Sequence, residues 1–126
     1  MIDHVMIRVS DLQKSREFYE KIFEPLDYNW SFGEKDVFDA FELKQGSLFE
    51  IAQYRGEGKI TSSHIAFRVA SREQVDAFYE ASIKAGASNN GKPGTRPNYT
   101  EKYYACFVLD PDGHNIEAMH DELPND

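Results

Sequence analysis

Two short segments, HVMIRV at residues 4–9 and HIAFRV at residues 64–69, decide the fold of this chain. The offset of 60 residues between them also carries Phe18-Tyr19-Glu20 onto Phe78-Tyr79-Glu80. Further along, FELKQGSLFEI at 41–51 resembles FVLDPDGHNIE at 107–117: Phe41 and Leu43 match Phe107 and Leu109, and with one extra residue in the second copy Glu50 matches Glu117. Four matched blocks in one order indicate an internal duplication. We assign one domain of two repeats, about 1–57 and 58–122, followed by a tail, 123–126, that we expect to be frayed.

Each repeat has the pattern of a strand, a helix and three further strands. Ser10 or Asp11 is expected to cap the first helix, which runs to about Phe23, and Ser71 the second. The apolar stripe of the second helix is Val75, Phe78, Tyr79 and Ile83. The remaining strands are predicted at 29–32, 37–43 and 47–54, then at 88–90, 103–109 and 115–119. The polar stretch at 90–100 is predicted to be a long loop. The fold class is therefore α+β, with two βαβββ modules.

Composition excludes several classes of function. The chain has 126 residues, 40% of them hydrophobic, which is typical of a globular protein with its own core. A net charge of −8 disfavours nucleic acid and anionic membrane surfaces as partners. No apolar run approaches the roughly 20 residues of a membrane span, and no signal peptide is apparent. With Cys106 as the one cysteine there is no intrachain disulfide, so we expect a cytoplasmic protein.

Four polar side chains interrupt otherwise apolar strands on one face. Because strand side chains alternate, His4, His64, Glu50 and Glu117 are all expected on the face away from the helices. If the two sheets curl around one cavity, these imidazoles and carboxylates converge as ligands of a divalent metal. Alternatively, the histidines are ordinary half-buried polar residues, and Glu50 lies on an edge strand with its carboxylate in water.

These residues carry a resemblance to a known family. The strand histidines in IDHVMIRVSDL and SSHIAFRV and the closing segment LDPDGHNIEAM resemble the vicinal oxygen chelate superfamily, which includes glyoxalase I, bleomycin-resistance proteins and extradiol dioxygenases. The resemblance implies an incomplete, cup-shaped β-barrel with His4, His64 and Glu117 as metal ligands. Similarity to glyoxalase I adds Glu50 as a fourth. The implied cofactor is a divalent ion (Zn, Ni, Fe or Mn), and the implied assembly is a homodimer, with each cup built in one chain or shared by two.

Further residues are expected to act around this site. Glu117, and after it Glu50, is the candidate general base. Arg8 and Arg68 lie on the same strand faces and either hold an anionic group of the substrate or form salt bridges at the rim. A lid over the cup is expected from Arg96, Tyr99, Tyr103 and Tyr104. His114 is expected to be exposed in a turn, and Cys106 to be a buried thiol.

Three functions are consistent with this pattern. The first is a metal-dependent lyase or isomerase of the glyoxalase kind, acting on a small molecule with adjacent oxygens. The second is an iron(II)-dependent extradiol-type dioxygenase. The third is a metal-free protein that binds a small molecule such as a drug.

Overall fold

The computed structural model describes residues 1–122, so the tail predicted at 123–126 lies outside the described residues. The strands are β1 (His4–Val9), β2 (Asn29–Glu34), β3 (Phe38–Glu42), β4 (Leu48–Gln53), β5 (His64–Arg68), β6 (Ser88–Thr95), β7 (Tyr104–Leu109) and β8 (Asn115–His120). The helices are α1 (Leu12–Phe23) and α2 (Arg72–Lys84). Within residues 1–122, neither helix has the length and apolar character needed to cross a bilayer.

Two four-stranded sheets carry the predicted α+β architecture. The first sheet has the order β1-β4-β3-β2, and the second has the matching order β5-β8-β7-β6. β1 pairs with β4 in parallel, which places Met6 opposite Glu50, and β5 pairs with β8, which places Ala66 opposite Glu117. The sheets do not close into a barrel, in agreement with the predicted incomplete barrel.

Both helices begin where capping residues predict. The side chain of Asp11 accepts a hydrogen bond from the Lys14 amide, and Ser71 accepts one from the Gln74 amide. The predicted stripe of α2 is wrong at one position, because Ile83 is 40% exposed. Ser82 is buried in its place and satisfies its hydroxyl by donating to the Phe78 carbonyl, as serines in helices commonly do.

One hydrophobic core unites the two halves on the helix side of the sheets. Ile7 and Val9 of β1 and Phe67 and Val69 of β5 all belong to it. The ring centroids of Phe49 and Phe67 are 5.5 Å apart, so the halves pack directly against each other. The opposite side of each sheet is not covered by a helix, and we call it the open face.

The predicted loop at 90–100 is wrong in its first part. Residues 90–95 belong to β6, the edge strand beside β7. The register shifts near Gly91 and Gly94, and such irregularities together with Pro93 are tolerated at a sheet edge. Because these residues favour turns, the sequence did not predict the strand, whose conformation depends on pairing with β7.

The turn before β8 joins the two halves, and the boundary between the two sheets, beside β1 and β5, is called the seam below. The Tyr19 hydroxyl donates to Asp110 Oδ2 at 2.6 Å. His114 lies with Nε2 2.7 Å from the Arg8 carbonyl oxygen, and its Nδ1 accepts a hydrogen bond from the Ser63 amide at 3.0 Å. The expectation of an exposed His114 is therefore wrong: it is 1% exposed, because both ring nitrogens are used across the seam.

Candidate functional site

A carboxylate held from two sides forms the centre of the second sheet's open face. Glu117 is only 3% exposed although it lies on the side without a helix. Its Oε1 lies 2.9 Å from His64 Nε2, and its Oε2 accepts a hydrogen bond from the Tyr103 hydroxyl. Phe107, opposite Glu117 on β7, packs near the His64 ring. The predicted ligands His64 and Glu117 are thus adjacent.

The Tyr103 hydroxyl is the donor in its hydrogen bond with Glu117. Burial, and next its hydrogen bond to Glu117, raise the pKa of the Tyr103 hydroxyl far above its ordinary value. The hydroxyl therefore stays protonated at neutral pH. The ring is supported by Tyr99, whose centroid lies 5.0 Å away in an edge-to-face arrangement.

The equivalent residues of the first sheet, His4 and Glu50, are not hydrogen-bonded to each other. His4 Nδ1 lies 2.8 Å from Asp3 Oδ1, and this hydrogen bond, followed by the charge of Glu50, raises the pKa of His4. Glu50 is 8% exposed, and within residues 1–122 its carboxylate has no hydrogen-bond partner. The edge-strand alternative for Glu50 is wrong, because β4 lies between β1 and β3. Within residues 1–122, Ser15 Oγ is the one fully buried side-chain polar atom that lacks a hydrogen bond, so the Glu50 oxygens still reach solvent on the open face.

The donor atoms of His64 and Glu117 fit one divalent ion. Ligand atoms about 2.1 Å from a divalent ion are about 3.4 Å apart at the tetrahedral angle of zinc and about 3 Å apart at the right angle of an octahedral ion, so a small separation of this hydrogen-bonded pair would admit either geometry. The observed separation of Nε2 and Oε1 is 2.9 Å. Among residues 1–122, however, no group of three or more His, Cys, Asp or Glu side chains is gathered around one point. The complete ligand set stays a prediction.

The seam explains why His4 does not join this pair. The contacts of His114 place the carboxyl end of β1 beside the amino end of β5. At the other end Phe67 packs on Phe49, the register partner of Val5. The two strands thus run in opposite directions, and Arg8 lies four positions after His4, about 13 Å along a strand. His4 and His64 lie at opposite ends of the seam.

The predicted arginines have mixed placements. Arg96 lies over the Phe107 ring, 5.5 Å from its centroid, and so reaches the open face near Glu117. Arg68 donates to the Asp121 carbonyl, and Arg8 contacts the sulfur of Met6. The charge of Arg68 also acts on the Tyr103 hydroxyl, so Arg68 and Arg96 are both cations near the second open face.

Of the three lid tyrosines, Tyr104 does not reach the open face. Its hydroxyl donates to Asp76 of α2 at 2.6 Å, and this bond raises the pKa of Tyr104 to about 12. Tyr104 alternates with the buried Cys106 along β7, so it faces the helix. Tyr99 is 57% exposed beside Tyr103 and remains near the site.

Sequence reasoning missed the apolar character of the first open face. Phe32, Ala40, Glu50 and Met6 form one row across β2, β3, β4 and β1. Phe32 is 46% and Met6 is 45% exposed. The signal was present in the alternation of β1 and β4, but the register with β2 depends on a bulge that sequence does not reveal. The row surrounds a buried carboxylate with exposed apolar groups.

Comparison with known proteins gives consistent results. The model of the Glyoxalase/Bleomycin resistance protein/Dioxygenase superfamily matches residues 1–118. A glyoxalase/bleomycin resistance protein from Albidiferax ferrireducens is 30% identical, with a TM-score of 0.85 over 96% of this chain and 99% of that one. A domain from Frankia described as glyoxylase/bleomycin resistance protein/dioxygenase is 25% identical, with a TM-score of 0.77 over 97% and 98% of the two chains. The uncharacterized protein YqjT of Bacillus subtilis is 28% identical over 92% of this chain and 95% of its own length. This chain therefore belongs to the glyoxalase/bleomycin resistance protein/dioxygenase superfamily.

Proposed function

We propose that this protein is a metal-dependent lyase or isomerase that acts on a small substrate with two adjacent oxygen atoms. The observation that carries the proposal is the pair of donor atoms on the second open face, His64 Nε2 and Glu117 Oε1, 2.9 Å apart. A bound divalent ion would chelate adjacent oxygens and stabilise the negative charge that develops when a neighbouring C–H bond is broken.

The site is completed, in our proposal, by a second copy of the chain. Each sheet carries half of the proposed site: the ligands His64 and Glu117 on one, and the ligand His4 together with Glu50 on the other. The Glu50 carboxylate has no protein partner within residues 1–122 and lies beside the exposed apolar side chains Met6 and Phe32, which leaves it available to a group from a second chain. In a symmetric dimer, the first sheet of each chain would face the second sheet of its partner. Such a dimer would contain two complete and equivalent metal sites.

Within this site the two glutamates have different tasks. Both Glu117 oxygens already have partners, which suits a fixed ligand. The Glu50 carboxylate has no donor within residues 1–122, so its oxygens are available to accept a proton from the substrate. Arg96, over the Phe107 ring, supplies a positive charge for an anionic substituent. The single, buried Cys106 is consistent with action in the reducing cytoplasm.

Metal content tests the first part of the proposal. Protein purified without chelators and then loaded with Zn, Ni, Mn or Fe(II) is analysed by mass spectrometry for metal bound per chain. We expect tight binding by the wild type and its loss in H64A and in E117Q. H120Q is the matched control, because the His120 ring contacts the Val69 carbonyl instead of the open face. Wild-type protein that takes up no metal would refute the proposal and favour a metal-free binding protein.

Proton exchange tests the reaction. A panel of α-hydroxyketones and hemithioacetals of 2-oxoaldehydes is incubated with loaded protein in D₂O, and deuterium at the carbon beside the carbonyl is followed by NMR. We expect exchange that depends on metal and on Glu50. Cleavage of catechols with uptake of O₂, by the iron(II)-loaded protein alone, would instead identify a dioxygenase.

A further inference from the structure

The loop between β6 and β7 holds Tyr103 in a fixed position. The Arg96 amide donates to the Tyr103 carbonyl at 2.7 Å, and the Tyr99 amide donates to the Arg96 carbonyl at 2.9 Å. The Thr100 hydroxyl donates to Asp121 Oδ2 at 2.8 Å, which ties the loop to the chain just after β8. Tyr103 therefore enters the open face from a braced loop, immediately before β7 begins.

The two oxygens of Glu117 face different partners. Oε2 accepts the hydrogen bond of Tyr103, and Oε1 faces His64 Nε2 at 2.9 Å. An unrestrained glutamate can rotate its carboxylate and offer either oxygen, or both, to a metal ion. A hydrogen bond from a tyrosine hydroxyl to one oxygen restrains this rotation.

We propose that Tyr103 is a positioning residue that holds Glu117 Oε2 and so presents Oε1 alone, as a monodentate ligand, toward the ion shared with His64. This inference rests on the proposed metal-dependent function and assigns a residue of the lid loop to the metal site. Partners that orient a metal ligand commonly contribute 10–100-fold to metal affinity, so losing the hydroxyl has a measurable effect.

The variant Y103F tests the proposal with little change to the fold. It keeps the ring that packs edge-to-face on Tyr99 and removes only the donor to Glu117. Zinc affinity is measured by competition with a chromophoric chelator, and cobalt(II) absorption reports the ligand geometry independently of activity. We expect Y103F to bind zinc about 10–100-fold more weakly than the wild type and to alter the cobalt spectrum. Y99F is the matched control, and it should bind zinc like the wild type.

The outcomes separate this inference from the proposed function. If the wild type binds zinc and Y103F matches it in affinity and in cobalt spectrum, the role of Tyr103 is refuted while the metal site stands. If the wild type binds no zinc, both fall. If Y99F weakens binding as much as Y103F, the loss is not specific to the hydrogen bond from Tyr103 to Glu117, and the role of Tyr103 is refuted.

Discussion

The buried hydrogen bond between Tyr19 and Asp110 allows a quantitative test of how the two halves are joined. Tyr19 is fully buried and Asp110 is 5% exposed, and their oxygens are 2.6 Å apart. Burial, followed by the charge of Asp110, raises the pKa of Tyr19 well above its ordinary value, so the tyrosine is the donor. The variant Y19F removes this donor and keeps the ring.

The expected loss follows from what Asp110 retains. A buried hydrogen bond to a charged group contributes about 1.5–3 kcal/mol. In Y19F the other carboxylate oxygen, Oδ1, still accepts the amides of Asp112 and His114, each at 2.9 Å. We therefore expect a loss of about 2 kcal/mol in the free energy of unfolding. For a domain of this size that corresponds to a fall in Tm of about 6–10 °C.

Urea unfolding followed by circular dichroism is the assay. Y28F is the matched control, because Tyr28 is 7% exposed and its hydroxyl has no hydrogen bond within residues 1–122. We expect Y28F to stay within about 0.5 kcal/mol of the wild type. A Y19F protein as stable as Y28F would refute the view that this bond fastens the first helix to the turn before β8.

Three further predictions concern the titration of His4, the thiol and the two glutamates. In the metal-free protein, NMR should show His4 titrating above 6.5, because nearby negative charge favours the protonated imidazole, and D3N should lower that pKa since the Asp3 hydrogen bond is its largest cause. Burial raises the pKa of Cys106 to about 12, so a thiol reagent should modify native protein far more slowly than urea-unfolded protein, and equal rates would contradict the buried placement. E50Q should retain metal and lose proton exchange by about 100-fold or more, whereas E117Q should lose both, and similar behaviour of the two variants would contradict their separate roles.

Much of the fold was predictable because the repeat carries a local signal twice. Alternation in HVMIRV and HIAFRV correctly assigned the buried and open faces of β1 and β5. The capping residue Ser71 was correctly predicted, and Asp11 is the one of the two candidates that caps α1. Strand alternation and helix capping depend on residues that are close in sequence. They are therefore the same whatever the tertiary arrangement of the two halves.

The relative placement of the halves was not predictable from the same residues. Duplication makes His4 equivalent to His64 but does not say how β1 and β5 are oriented relative to each other. That is set by contacts far apart in sequence, such as those of His114 with Arg8 and Ser63. His114 was predicted to be exposed because a histidine in a turn after Gly113 is usually in contact with solvent. The residues next to it in sequence do not indicate that its ring binds two backbone groups across the seam.

The candidate site was predicted in its parts and incompletely in its assembly. His64, Glu117 and Tyr103 were singled out and are adjacent. Tyr104, the next residue, faces α2, because side chains alternate once β7 begins. The pairing of His4 with Asp3 is a contact between sequence neighbours, which the strand pattern alone did not weigh.

Mixing two defective variants tests most directly whether two chains build each metal site. H4A and H64A are unfolded, mixed in equal amounts and refolded together, and the metal bound per chain is compared with that of each variant refolded alone. In a shared site, half of the dimers are mixed, and each mixed dimer has one intact site and one doubly altered site, so about a quarter of wild-type metal binding returns. No recovery in the mixture, with wild-type protein refolding and binding metal normally, would show that each site is built within one chain.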